Sequence, residues 1–461
     1  MTSNTRNIGF ILLYISIWLS LDSSIYNLLN IKSYVHSYFS LHSNEYASHD
    51  LVLDYKNIFF GILKSLRFIS PYIIFVILFF LFRKDLISIK LDSKFKFVFY
   101  IIIFSFFLQG ITPFFNGNSL LNVPFALISI ILLINLIYFY NFFNLNKIFL
   151  LGLIILFFIT TAYGLVLIHY LIFFSPNLNL YGGWPENLQS LQLLSNHVPR
   201  SSGISRSSLI LMIPLSFYIL VSKKLNYKFY TIYIFLSFLM LSTQSRISLF
   251  VYMLGVVVFS YYIFFVCNNN KLKKFLLIII LPIITWIFSI EVLSMTRNSP
   301  AYLSFISDKL IKNYDQDKYD KLIRSRDKGS FSSRRTEDWQ NIIEKNQNYF
   351  LGYGVLGDRY LIDQTASSLI FYNYASGGIV SVFIFFILIL RSIYLCIKTI
   401  FINYKVPDKD NYIVLSACFI VLFLIIRSLV ESSFAVFGID SLIFFSSYLL
   451  IEHSYKENNT K

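Results

Sequence analysis

Residues 369–390 read LIFYNYASGGIVSVFIFFILIL. The run contains no charged residue and exceeds the roughly 20 apolar residues with which a helix crosses a bilayer. The stretch just before it, 292–368, is polar and densely charged. That contrast decides the fold: the apolar surface is to be solvated by lipid, and the polar stretch stands outside it.

Comparable apolar runs recur along the chain. The expected spans are 8–28, 66–82, 95–112, 120–140, 148–174, 207–222, 229–243, 247–267, 275–291, 369–390, 411–427 and 437–452. Composition agrees. The 461 residues are 56% hydrophobic and only 14% charged, against about 25% charged in a soluble domain, and the mean hydropathy is +0.65. The expectation is an all-α, polytopic helical membrane protein of about 12 transmembrane helices, with a large, partly helical periplasmic loop between spans nine and ten. Four sections follow: an N-terminal bundle at 1–174, central spans with a preceding loop at 175–291, the large loop at 292–368, and C-terminal spans with a tail at 369–461.

The net charge is +15. In a soluble chain that would suggest nucleic acid; here the excess sits in short loops between spans, where Lys and Arg set orientation. With the N-terminus cytoplasmic, the inside loops hold Arg83, Lys84, Lys90, Lys94 and Lys96, then Lys147, Lys223, Lys224 and Lys228, then Lys271, Lys273 and Lys274, and finally Arg391, Lys398, Lys405 and Lys409. The short outside connections are nearly free of Lys, so both termini are placed in the cytoplasm and no nucleic-acid partner is expected. The segments 29–65, 175–206 and 292–368 are long enough to fold outside. Within the last, 336–348 reads as a short amphipathic helix with Ser332 and Ser333 as candidate caps, and 302–324 as a weaker helix.

Cys267, Cys396 and Cys418 show neither metal-ligand spacing nor a disulfide framework and read as structural. No metal cluster and no cofactor is expected. The first apolar run lacks a small-residue cleavage site and reads as a retained span rather than a removed signal peptide.

Arginine divides from lysine. It collects on the outside: Arg200, Arg206, Arg246, Arg297, Arg324, Arg326, Arg334, Arg335, Arg359 and Arg427. A guanidinium binds phosphate as a planar fork and keeps its charge when partly buried, so the cluster suits a lipid-linked phosphate or pyrophosphate. For any single loop arginine, contact with lipid headgroups or with the loop's own acids is the commoner role. Arg246 stands apart, held in a tight turn between two apolar helices, where a charge usually faces a cavity or a partner.

Three pieces carry a resemblance. Arg200-Ser201-Ser202-Gly203 stands just before a span; Ser242-Thr243-Gln244-Ser245-Arg246 forms a turn; and Arg335-Thr336-Glu337-Asp338-Trp339 is followed by Leu351-Gly352-Tyr353-Gly354. Across roughly 195–390 this order resembles the bacterial O-antigen polymerase and O-antigen ligase group of polytopic membrane glycosyltransferases. The pieces are similar to that group's Arg-x-x-Gly element, its Thr-x-Ser-Arg turn, and its Arg-x3-Trp helix leading to Gly-x-Gly. Where the ligases carry Ala-His-Asn, this chain has Ala366-Ser367-Ser368, with Gly377-Gly378 following at the expected distance. The missing histidine favours the polymerase branch.

The resemblance implies transfer of glycan from an undecaprenyl-pyrophosphate carrier at the inner membrane, without metal or cofactor. Cations hold the leaving pyrophosphate and a base deprotonates an acceptor hydroxyl. It assigns a clamp to Arg200, Arg246 and Arg335, with Arg206 and Arg334 as further candidates and Arg427 beside them. Asp363 is the first candidate base and Glu431 the second; either is equally an ordinary loop acid or an ion-pair partner. Trp339 either stacks on a sugar or packs its helix on the spans, and Gly352 and Gly354 shape a loop. His169 and His197 read as buried-helix and surface residues. The implied partners are lipid-linked glycans, membrane lipid, a chain-length regulator and a flippase.

Rival readings remain open. A ligase would use lipid A core as acceptor. A transporter or flippase would show paired halves, broken helices and midplane charges, whereas no repeat is seen and Asp22 lies near the end of its span. A different lipid-sugar glycosyltransferase would place an acidic pair in the first outside loop, where Glu45, Asp50 and Asp54 are not adjacent.

Overall fold

The computed structural model describes residues 71–77, 93–116, 123–142, 145–173, 201–222, 227–242, 246–266, 270–285, 333–362, 366, 368–403, 411–431 and 438–460. Isolated positions are added at Ile11, Tyr14, Ile15, Trp18, Phe80, Ile287 and Phe434. Among the described residues every regular element is a helix. In chain order these are α1 (Ser93–Ile111), α2 (Pro113–Asn116), α3 (Val123–Phe142), α4 (Leu145–Phe173), α5 (Ser201–Val221), α6 (Tyr227–Ser242), α7 (Arg246–Tyr261), α8 (Lys271–Phe275), α9 (Ser333–Lys345), α10 (Gly357–Ile362), α11 (Leu369–Lys398), α12 (Tyr412–Ser428) and α13 (Ile439–Thr460). Helices α7, α8 and α11 run on through wider π-type turns at Tyr262–Val266, Leu276–Ile280 and Thr399–Asn403.

Five helical stretches are long and apolar enough to cross a membrane: Val98–Asn116, Leu145–Ala162, Gly203–Val221, Ile247–Val266 and Leu369–Phe401. Three shorter apolar helices accompany them, Val123–Ile137, Tyr227–Met240 and Tyr412–Ser428. The expected spans 95–112, 120–140, 148–174, 207–222, 229–243, 247–267, 369–390 and 411–427 each overlap one of these helices, 437–452 falls on α13, and 66–82 and 275–291 are seen in part. The expected loops 29–65 and 302–324 lie outside the described residues.

Packing is close where side chains are small. Helices α12 and α13 pair along a face that buries Ser416, Ala417, Ser441 and Ser447 completely, as membrane helices do when small residues let backbones approach. Helix α13 also touches α3, α4 and α11. It is the most polar of the long helices, carrying Asp440 and Glu452, both buried. Each acid has a cation on a neighbour: Arg391 of α11 reaches Glu452 and Tyr448, and Arg427 of α12 reaches Asp440. The free cysteines Cys396 and Cys418 are buried in the α11–α12 contact, where Cys396 Sγ donates to the Cys418 carbonyl.

Candidate functional site

Two constructions meet at the end of the bundle where 333–368 lies. The first is an ion-pair network. Arg206 stands in the second turn of α5, Arg427 in the last turn of α12, and Asp440 in the first turn of α13. The α12 and α13 positions follow helix electrostatics, with a cation at a C-terminus and an anion at an N-terminus. Asp440 bridges the arginines: Arg206 Nη1 lies 2.8 Å from Oδ1, and Arg427 Nη1 donates to Oδ2 at 2.7 Å. Arg427 also pairs with Glu431 one turn on. Arg427 is 4% exposed, so its charge is held out of water by its acid partners, chiefly the equally buried Asp440. The Arg206 side chain is 18% exposed and is the cation of the network that reaches the surface.

The second construction is a loop sewn into a broken helix. Helix α11 is interrupted at Gly378, whose φ of 61° and ψ of −161° are not helical. In an unbroken helix Ala375 and Ser376 would accept from residues 379 and 380. Here Tyr353 N donates to the Ala375 carbonyl and Gly354 N to the Ser376 carbonyl, both at 2.8 Å, and Ile379 N donates to the Tyr349 carbonyl at 2.8 Å. Residues 349–354 thus satisfy the Ala375 and Ser376 carbonyls and the Ile379 amide, which in an apolar setting would otherwise need partners. Helices α1 and α2 close the other side: Val355 N donates to the Gln109 carbonyl of α1 at 3.2 Å, and Asn116 Nδ2 of α2 to the Gly352 carbonyl at 2.6 Å.

Two glycines make this approach possible. A Cβ on Gly378 would lie 2.1 Å from the Phe350 carbonyl oxygen, and one on Gly354, whose φ is +87°, 2.4 Å from Pro113 Cγ. Behind the break lies a buried polar chain. Ser105 and Ser381 hydroxyls share a 2.7 Å hydrogen bond, Gln109 Nε2 donates to Ser381 at 3.0 Å, and Ser381 donates to Asn373 Oδ1 at 3.1 Å.

Beyond the loop, α10 carries Asp358, which is fully buried. Its carboxylate accepts from Ala366 N at 2.7 Å and Arg359 N at 2.9 Å, fixing the strand of chain that leads into α11. Burial pushes the Asp358 carboxyl above its ordinary value, and the backbone donors and Arg359 only partly offset that. Helix α9 packs on α10 and α11 through buried Ile342. Trp339 stacks on Phe371 with centroids 4.9 Å apart and planes 12° from parallel, so one face of its indole is already taken.

The positions expected from sequence divide accordingly. Arg206, Arg427 and Glu431 come together, and the acid that joins the two arginines, Asp440, was missed. Its signal was an Asp in the first turn of an apolar helix, where a charge asks for a partner. Glu431 is in an ion pair, one of the two roles open to it. Asp358 was missed too, since nothing in its local sequence marks it as buried. Arg335 lies half-buried on α9, without a described contact to the network. Arg200, Asp363 and Ser367 lie outside the described residues, as do the side chains of Arg246 and Arg334. No family model, curated protein or solved structure matches this chain.

Proposed function

We propose that the chain polymerises undecaprenyl-pyrophosphate-linked oligosaccharide repeat units into O-antigen or a related surface polysaccharide. In this reading it crosses the bacterial inner membrane twelve times with both termini in the cytoplasm, and works on the periplasmic face as a glycosyltransferase. The observation that carries the reading is the convergence of Arg206 and Arg427 on Asp440. It gathers arginines from distant parts of the chain at the end of the bundle that the charge pattern assigns to the periplasm. A lipid pyrophosphate there would meet Arg206, the more accessible guanidinium, while Arg427 and Asp440 hold its helix in place. Arg200, Arg246, Arg334 and Arg335 complete the basic surface, Asp363 is the proposed base, and Trp339 keeps one face for a sugar.

The break in α11 is the one observation that favours a flippase, whose broken helices expose backbone groups to cargo. At this break the Ala375 and Ser376 carbonyls and the Ile379 amide are already taken by residues 349–354 and closed to cargo, so the polymerase reading stands first.

Deletion of the gene tests the proposal. A polymerase loss leaves surface lipid capped with a single repeat unit on a gel. Loss of every capped form indicates a ligase, and an unchanged ladder rejects both.

A further inference from the structure

The loop end of the bundle carries an apolar ledge that no described residue covers. Phe114 and Phe115 of α2 and Tyr349, Phe350 and Leu351 of the sewn-in loop are all exposed, Phe115 to 78% and Phe350 to 59%. The two groups are neighbours, because Asn116 binds the Gly352 carbonyl and Gly354 abuts Pro113. Charge is absent from both: none occurs between Lys96 and Lys147, nor between Lys345 and Asp358.

The ledge continues the lipid-facing wall of the spans. Past Gly378, the exposed residues Ile379, Phe383, Phe386, Leu390, Tyr394 and Ile397 form one stripe at helical spacing. The stripe starts where Phe350 begins: the Phe350 carbonyl lies against Gly378, and Tyr349 caps Ile379 N. From Ile379 to Lys398 the helix rises about 30 Å, which matches the hydrocarbon thickness of a bilayer of about 30 Å. Taken as 379–398 rather than the 369–390 expected from sequence, the crossing stretch carries Arg391 within it, paired with Glu452, and sets the break in α11 and the ledge beside it at the membrane boundary. Tyr349 suits the interfacial level, where Trp and Tyr are enriched, and Phe and Leu suit the apolar face of a segment lying in the interface.

We propose that the ledge of Phe114, Phe115, Tyr349, Phe350 and Leu351 is seated in the bilayer lipid at the boundary of headgroups and acyl chains. The loop segment 346–357 then lies on the membrane as part of its surface rather than projecting into water, and α9 is held close to the lipid by its own C-terminal end. The occupant is bilayer lipid, and the inference holds whatever reaction the chain carries out.

The test uses the full chain reconstituted in vesicles of phosphatidylethanolamine and phosphatidylglycerol. Spin labels are placed singly through Phe115→Cys and Phe350→Cys after replacement of Cys267, Cys396 and Cys418 by Ala. Phe383→Cys serves as the lipid reference and Glu337→Cys as the water reference. Labels at 115 and 350 are expected to collide more with oxygen than with a nickel chelate, at a depth of about 5–10 Å below the headgroups. Nickel-dominated collisions overturn the proposal. So does shielding from both reagents, which is the signature of a second protein surface. Should the cysteine-free chain fail to reconstitute, Phe350→Trp in the native background is read with acyl-brominated lipid: added quenching over the native chain is expected, and none overturns the proposal.

Discussion

Arg427 Nη1 and Asp440 Oδ2 lie 2.7 Å apart in a setting where Arg427 is almost wholly shielded from solvent. The pair ties the end of one helix to the start of the next, and Arg206 enters through the other oxygen of the same carboxylate. A charge at such a site keeps its ionisation only through its partners.

Asp440→Ala is therefore expected to lower stability by about 3–5 kcal/mol, the cost of stranding a buried charge. Thermal unfolding in detergent measures it, and an unshifted midpoint contradicts the network. Glu431→Gln acts on an acid that is 25% exposed and should cost about 1 kcal/mol or less.

Gly378→Ala puts a methyl group against the Phe350 carbonyl in a backbone region open essentially to glycine alone. The conformation by itself costs on the order of 1–3 kcal/mol, and the contact adds to it. The expected result is release of residues 346–357, seen as faster amide exchange at Tyr353 and Gly354 with α12 and α13 unchanged. Unaltered exchange at both amides would show that the break does not depend on the glycine.

Arg206→Gln separates architecture from chemistry. Its side chain is partly exposed and Asp440 keeps Arg427 as partner, so the expected stability loss is about 1 kcal/mol or less. If the proposed reaction is correct, the variant still shortens the polysaccharide ladder strongly in a deletion strain. A normal ladder from a normally expressed variant would take Arg206 out of the site.

Asp358 gives a pH signature. Its carboxyl is raised by burial, so the folded chain binds this proton more tightly than the unfolded chain does. The cost of the buried charge is fully present above the raised value. It declines as pH falls through that value toward the ordinary carboxylate value of about 3.9. In Asp358→Asn this component is absent, so the melting temperature of the native chain should rise relative to the variant on acidification. Parallel curves would contradict it.

The helical, membrane-spanning character was legible because apolar length is a local property, read directly from runs such as 369–390. Helix α9 was legible for the same reason, through the amphipathic pattern of 336–348, though it starts at Ser333. The interruption of α11 was not. Gly377-Gly378 was visible as a small-residue entry into a helix, but the partners that replace the lost rungs come from 349–354, and only the folded chain brings them there. Arg206 and Arg427 were picked out by residue type. Their joining acid was not, because Asp440 gains its meaning from two helices distant in sequence. Asp358 was hidden for a similar reason: its burial comes from α11 packing over α10.

The sewn-in loop also orders the assembly of the molecule in time. Residues 349–354 are synthesised before the helix they repair, and the α1 carbonyl that receives Val355 is made far earlier. A ribosome delivering 369–398 therefore supplies a helix whose Ala375 and Ser376 carbonyls find their partners only once the preceding loop has folded back onto it. A C-terminal fragment made without that loop would enter the bilayer with bare carbonyls at Ala375 and Ser376, the kind of defect that quality-control proteases recognise. For this chain, docking of the loop and completion of the following helix are a single event.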